Sequence, residues 1–144
     1  PGHVQKGHSP PYIYMYSHAH SYEPGVALAD LNPATAGAYH TSEVPFFLLT
    51  QDVYNRIRKT RAWTDYDRQL ADAMSDVLVA FATTGTPQTT QVRFPKFTVR
   101  TQEYVEFGDR IAIGKFDVAR MHFFSTVNMP GAVGPGAIPR SPRD

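Results

Sequence analysis

Tyr12-Ile13-Tyr14-Met15-Tyr16 is an unbroken aromatic and aliphatic run, bounded by Pro10-Pro11 before it and Ser17-His18 after it. A short apolar run with such limits predicts a strand buried on both faces. That strand needs sheet neighbours and covering helices, which a chain of 144 residues barely provides. The run therefore predicts an α/β chain that is incomplete by itself.

The remaining punctuation divides the chain. Residues 1–11 are rich in Gly, Pro and His without apolar periodicity and predict an exposed lead-in. Residues 17–39 hold Pro24-Gly25, Asn32-Pro33 and Gly37, which predicts a long loop, and loops of this length are usually functional or disordered. After His40, the segment Ser42-Glu43-Val44-Pro45 predicts a helix start, with Thr41 or Ser42 as cap and Pro45 tolerated in the first turn. From Asp65, the residues Leu70, Ala71, Met74, Val77, Leu78 and Phe81 recur at helical spacing, and Gly85 with Pro87 stops them. Phe94-Pro95-Lys96-Phe97 predicts a turn. Tyr104-Val105-Glu106-Phe107 and Arg110-Ile111-Ala112-Ile113 around Gly108-Asp109 predict a hairpin. Residues 1–127 are taken as one folded part, and residues 128–144, rich in Pro and Gly, as a tail unable to bury enough surface to order itself.

Composition narrows the function. At 42% hydrophobic, 19% charged and a net charge of +1, the chain is a globular sequence without a broad electrostatic footprint for nucleic acid. Arg56, Arg58, Lys59 and Arg61 form a short basic run that reads as a solvated helix end. No apolar window reaches the length of about 18 residues that a membrane span needs. The absence of cysteine excludes disulfides and thiolate metal sites. A start at Pro1 rather than Met implies sequence upstream, removed by processing or cleavage.

Among the histidines, His18-Ala19-His20 has the alternation of a metal pair on an extended segment, but no third ligand accompanies it, so chance loop histidines are expected and no metal site is assigned. Taken alone, His40 between Tyr39 and Thr41 also reads as a loop residue. Ser42, Ser75 and Ser125 lack the flanking glycines of a nucleophile elbow.

Three motifs in order change the weight on His40. The strand Tyr12 to Tyr16, the segment Gly37-Ala38-Tyr39-His40-Thr41-Ser42-Glu43-Val44-Pro45, and Phe81-Ala82-Thr83-Thr84-Gly85-Thr86-Pro87 followed by Phe94-Pro95-Lys96-Phe97 together resemble the C-terminal part of the type B carboxylesterase/lipase family. This is the α/β-hydrolase group that includes the cholinesterases and para-nitrobenzyl esterases. Leu78 and Phe94 stand where that family usually has tryptophan, and Thr41 where a small residue is common.

The resemblance implies a C-terminal fragment of an α/β-hydrolase fold, completed by a separate N-terminal chain or fragment. That partner carries the Gly-x-Ser-x-Gly elbow, the oxyanion-hole glycines and the triad acid. In such a serine esterase with a Ser-His-Glu/Asp triad, His40 is the catalytic general base: an imidazole, with an ordinary pKa of about 6.5, takes the serine proton and returns it to the leaving alkoxide. Glu43 is expected to be structural, through a hydrogen bond that fixes the loop. Tyr39 and Phe46 are candidates for the border of the substrate pocket. The expected ligand is a small-molecule carboxylic ester, and no cofactor, metal or nucleic acid is expected. The resemblance leans toward a secreted or periplasmic setting. Two other classes stay open: a non-catalytic cholinesterase-like adhesion or scaffold module, and an autonomous small binding domain.

Overall fold

A computed structural model describes residues 11–29 and 31–127. The expected lead-in before Pro11 and the expected tail from Asn128 onward lie outside the described residues. Strand β1 (Tyr14–Tyr16) is followed by the long loop, a short helix α1 (Val44–Phe47), a 3₁₀ turn (Gln51–Asn55) and the long helix α2 (Asp65–Thr84). Strands β2 (Glu103–Phe107) and β3 (Ile111–Lys115) and helix α3 (Val118–Val127) complete the order.

The three strands form one sheet in the order β1-β2-β3. Strand β1 runs parallel to β2 with Met15 opposite Glu106, and β2 runs antiparallel to β3 with Val105 opposite Ile113. A parallel pair requires a crossover, and the stretch containing α1 and α2 supplies it. The hairpin forms where the Gly108-Asp109 signal predicts it. Its register pairs Phe107 with Ile111, so Gly108, Asp109 and Arg110 make the turn.

Strand β1 is shorter and wetter than the run from Tyr12 predicts. Tyr14 is 43% and Met15 41% exposed. One face explains part of this: Tyr14 packs edge-on against Phe47 and Tyr16 leans on Phe46, whereas Met15 points the other way. The far edge of β1 has no strand beside it among the described residues.

Helix α2 begins and ends where its sequence predicts. Thr64 is the N-cap of a capping box with Asp67, and Gly85 closes the helix in the left-handed conformation at φ 74°. Leu70, Ala71, Ala73, Met74 and Val77 are buried, joining Phe46, Val92, Phe94, Val105 and Phe107 in the core. Each large side chain of this set contributes about 1.5 to 3 kcal/mol by burial. The expected apolar stripe does not all face inward: Leu78 and Phe81 are 41% and 48% exposed. With Tyr12, Tyr14, Phe47 and Phe94 they line an open apolar groove of about 780 Å³. Among the described residues, no helix is long and apolar enough to cross a membrane.

Helix α3 has no counterpart in the sequence reading. Val118, Met121 and Phe123 in it are exposed, so no single buried stripe announced it.

Candidate functional site

His40 sits in the turn that leads into α1, and its side chain is exposed. No hydrogen bond or ion pair engages its ring among the described residues. What holds the turn is Ser42, which is fully buried. Its hydroxyl donates to the Tyr39 carbonyl at 2.7 Å and accepts from the Tyr39 N–H at 3.1 Å, while its own N–H donates to the same carbonyl at 3.0 Å. Tyr39 and Ser42 are thus clamped together with His40 at the outside of the bend. Ser42 spends its hydroxyl there instead of capping α1, whose N-cap is Glu43 without a side-chain cap bond.

Thr41 carries the cost of this bend. Its φ is 69°, in the left-handed region that a β-branched residue tolerates poorly. A glycine or another small residue suits that backbone better, which gives the departure at Thr41 a conformational meaning.

The expected hydrogen bond from Glu43 is not formed within the described residues. Its carbonyl accepts from the N–H groups of Phe46 and Phe47, starting α1, and its side chain lines the apolar groove. There it sits near Tyr14, whose phenol is raised above its ordinary pKa by burial and then by the Glu43 charge. Phe46 is 0% exposed, so it is a core residue with no surface to offer a substrate. The Tyr39 hydroxyl faces inward, 3.2 Å from His20 Nδ1 and 3.3 Å from Arg61.

His18 and His20, expected to be chance loop histidines, are both buried and both engaged. Alternation along the extended segment turns both rings inward. His20 Nε2 donates to the Ser42 carbonyl at 2.7 Å, and Arg61 Nε donates to His20 Nδ1 at 3.1 Å. Burial first, then the Arg61 charge, hold its pKa below the ordinary value against the raising effect of the Ser42 bond. Arg61 is not part of a solvated run. It is 6% exposed, with its guanidinium 4.3 Å over the Tyr22 ring and 5.1 Å from that of Tyr54. Lys59 does follow the solvated expectation, pairing with Glu23 at 2.6 Å.

His18 Nε2 meets Asp67 Oδ1 at 2.7 Å, and its Nδ1 meets Asp109 Oδ1 at 3.1 Å. The Asp67 bond is the main cause that raises the His18 pKa, with burial opposing it. Burial would raise Asp67, but hydrogen bonds from His18, from the Thr64 N–H and hydroxyl and from Ser21 outweigh it and hold the carboxyl at about 2. No group of three or more His, Asp or Glu side chains gathers as for a metal ion among the described residues. His18 and His20 point to different partners, so the alternation reflects two structural bonds.

The parallel β1-β2 pair with its crossover through α2 is an α/β arrangement, and the turn bearing His40 lies in that crossover. The model of the carboxylesterase family matches residues 2–123, and the chain belongs to that family. No curated protein matches it. Among solved structures, a PNB esterase shares 25% identity at a TM-score of 0.63, covering 83% of this chain and 22% of its own. A thermophilic PNB esterase shares 24% at 0.61, covering 79% and 21%. An esterase from anaerobic Clostridium hathewayi, described as able to hydrolyse aliphatic aromatic polyesters, shares 17% at 0.65, covering 85% and 22%. The chain thus spans about 22% of the length of the structures it matches.

Proposed function

We propose that this chain supplies the general base, His40, of a carboxylic-ester hydrolase whose serine, triad acid and oxyanion hole lie on a polypeptide part outside it. The observation that carries this is the His40 turn: Ser42 and Tyr39 lock the backbone while the imidazole stays exposed, with no ring bond among the described residues. Membership of the carboxylesterase family agrees with that role.

The chemistry follows from those parts. As a serine hydroxyl attacks the ester carbonyl, His40 accepts its proton; when the tetrahedral intermediate collapses, His40 returns the proton to the departing alkoxide. Water repeats the cycle on the acyl-enzyme and releases the acid. A carboxylate on the completing part orients the ring, and backbone N–H groups there hold the oxyanion.

The surfaces around the turn support a completing partner. The open edge of β1, the exposed Tyr14 and Met15, and the groove containing Leu78 and Phe81 offer backbone donors and apolar area to further strands and helices. In the complete hydrolase containing this chain, His40→Ala is expected to lower kcat on a para-nitrophenyl ester by roughly 10⁶-fold, as in other triads, without unfolding the protein. Wild-type turnover by that variant refutes the assignment. An elbow without serine on the completing part also refutes it, in favour of an adhesion or scaffold module.

A further inference from the structure

The His40 turn is held from beneath by groups that take no part in proton transfer. His20 is 4% exposed and Arg61 6%. The protonation of His20 is dictated by its partners. A guanidinium cannot accept, so Nδ1 must present its lone pair to Arg61; a carbonyl cannot donate, so Nε2 must carry the hydrogen given to Ser42. His20 is therefore neutral and in one tautomer. Arg61 also donates to the Tyr39 hydroxyl at 3.3 Å, and that hydroxyl lies 3.2 Å from the same Nδ1. The two residues that bracket the His40 turn, Tyr39 and Ser42, are tied to one imidazole. Among the described residues, the buried Asp67 carboxylate is bonded to His18, Thr64 and Ser21, and Glu23, which lines a surface pocket together with Arg61, pairs with Lys59. Aromatic faces of Tyr22 and Tyr54 take the place of a counter-ion for Arg61.

We propose that His20, oriented by Arg61, is a positioning residue for His40: through the Ser42 carbonyl and the Tyr39 hydroxyl it sets where the base is presented. This rests on the assignment of His40 as the base. Its location, on the segment leaving β1 and distant in sequence from the turn, makes the turn's geometry depend on the sheet. Protonating His20 at Nδ1 sets an imidazolium against the guanidinium, with His18, Asp67, Glu43 on the turn and Glu23 beside Arg61 among the other titratable groups around the cluster, and Tyr22, Tyr39 and Tyr54 the phenols facing it. Protonation thus breaks the Arg61 bond to Nδ1, while the Nε2–H bond to the Ser42 carbonyl needs only the hydrogen that both forms carry.

The test uses the complete hydrolase containing this chain and a para-nitrophenyl ester. A displacement of about 1 Å at a catalytic group can cost about 10²-fold in rate. His20→Leu keeps bulk but loses donor and acceptor, and is expected to lower kcat by about 10 to 100-fold with KM within about twofold. His20→Gln keeps one donor and one acceptor and is expected to restore most of kcat. Arg61→Met, which keeps the stem and leaves Nδ1 without its cation, is expected to lower kcat in the same sense and guards against a His20→Leu protein that fails to fold. If folded His20→Leu and Arg61→Met melt lower but keep wild-type kcat, or if His20→Gln fails to rescue, the inference is overturned. An active His40→Ala defeats the underlying assignment instead, so the two failures are distinct.

Discussion

The Asp67 carboxyl offers a perturbation whose size can be worked from geometry. It is fully buried and accepts from His18 Nε2, from the Thr64 N–H at 2.6 Å and hydroxyl at 2.8 Å, and from Ser21 Oγ at 3.0 Å. A carboxyl held at about 2 instead of its reference 3.8 contributes about 2 kcal/mol to stability. The sign follows from the depressed value: the contribution is complete above the unfolded pKa and disappears as pH falls through the folded one. Asp67→Asn removes the charge but keeps the shape and an acceptor for the helix cap. Urea unfolding followed by far-UV circular dichroism should show a deficit of about 2 kcal/mol at pH 6, shrinking to about half of that at pH 3. His18 adds the opposite limb. Its pKa is raised, so its share of the same pair is present below the unfolded value near 6.5 and is lost as pH rises through the folded one. The two limbs describe one interaction and do not add. A deficit of equal size at pH 3 and pH 6 refutes the account, because a pH-independent loss signals packing, not charge.

Three further outcomes are expected. Thr41→Gly should stabilise the protein by about 0.5 to 1 kcal/mol in the same unfolding assay, since relief of a left-handed β-branched residue outweighs the added freedom of the unfolded chain. Gly85→Ala should destabilise by about 1 to 2 kcal/mol: an added Cβ meets nothing within 4 Å, so only the φ of 74° opposes it. At the groove, Phe81→Ser should cost less than about 1 kcal/mol if the half-exposed ring stays open to water, and about 2 kcal/mol or more in a hydrolase whose completing part covers it, as thermal melts will show.

Local signals decided the parts that depend on local physics. Helix α2 was legible from Asp65 to Gly85 because its spacing, cap and stop all act within a few residues. The hairpin around Gly108-Asp109 was legible for the same reason, although the pairing of Phe107 with Ile111 belongs to the assembled ladder. The place of His40, after a long loop and before a Pro-bearing turn, could also be read directly. By itself, then, the sequence determined the periodic elements, their breakers and the position of the candidate base.

The tertiary structure alone decided what surrounds that base. His20 and Arg61 are 41 positions apart, and His18 and Asp109 are 91 apart, so no window of sequence shows that either pair meets. A basic run reads as solvated until one of its members, Arg61, is found between two tyrosine rings. Glu43, three residues from His40, invited a bond by proximity, but the start of α1 turned it toward the groove and left Ser42 to hold the turn. Burial and partner choice are properties of contacts between distant segments, and they appear only when the crossover lays α2 and its approach against the end of β1.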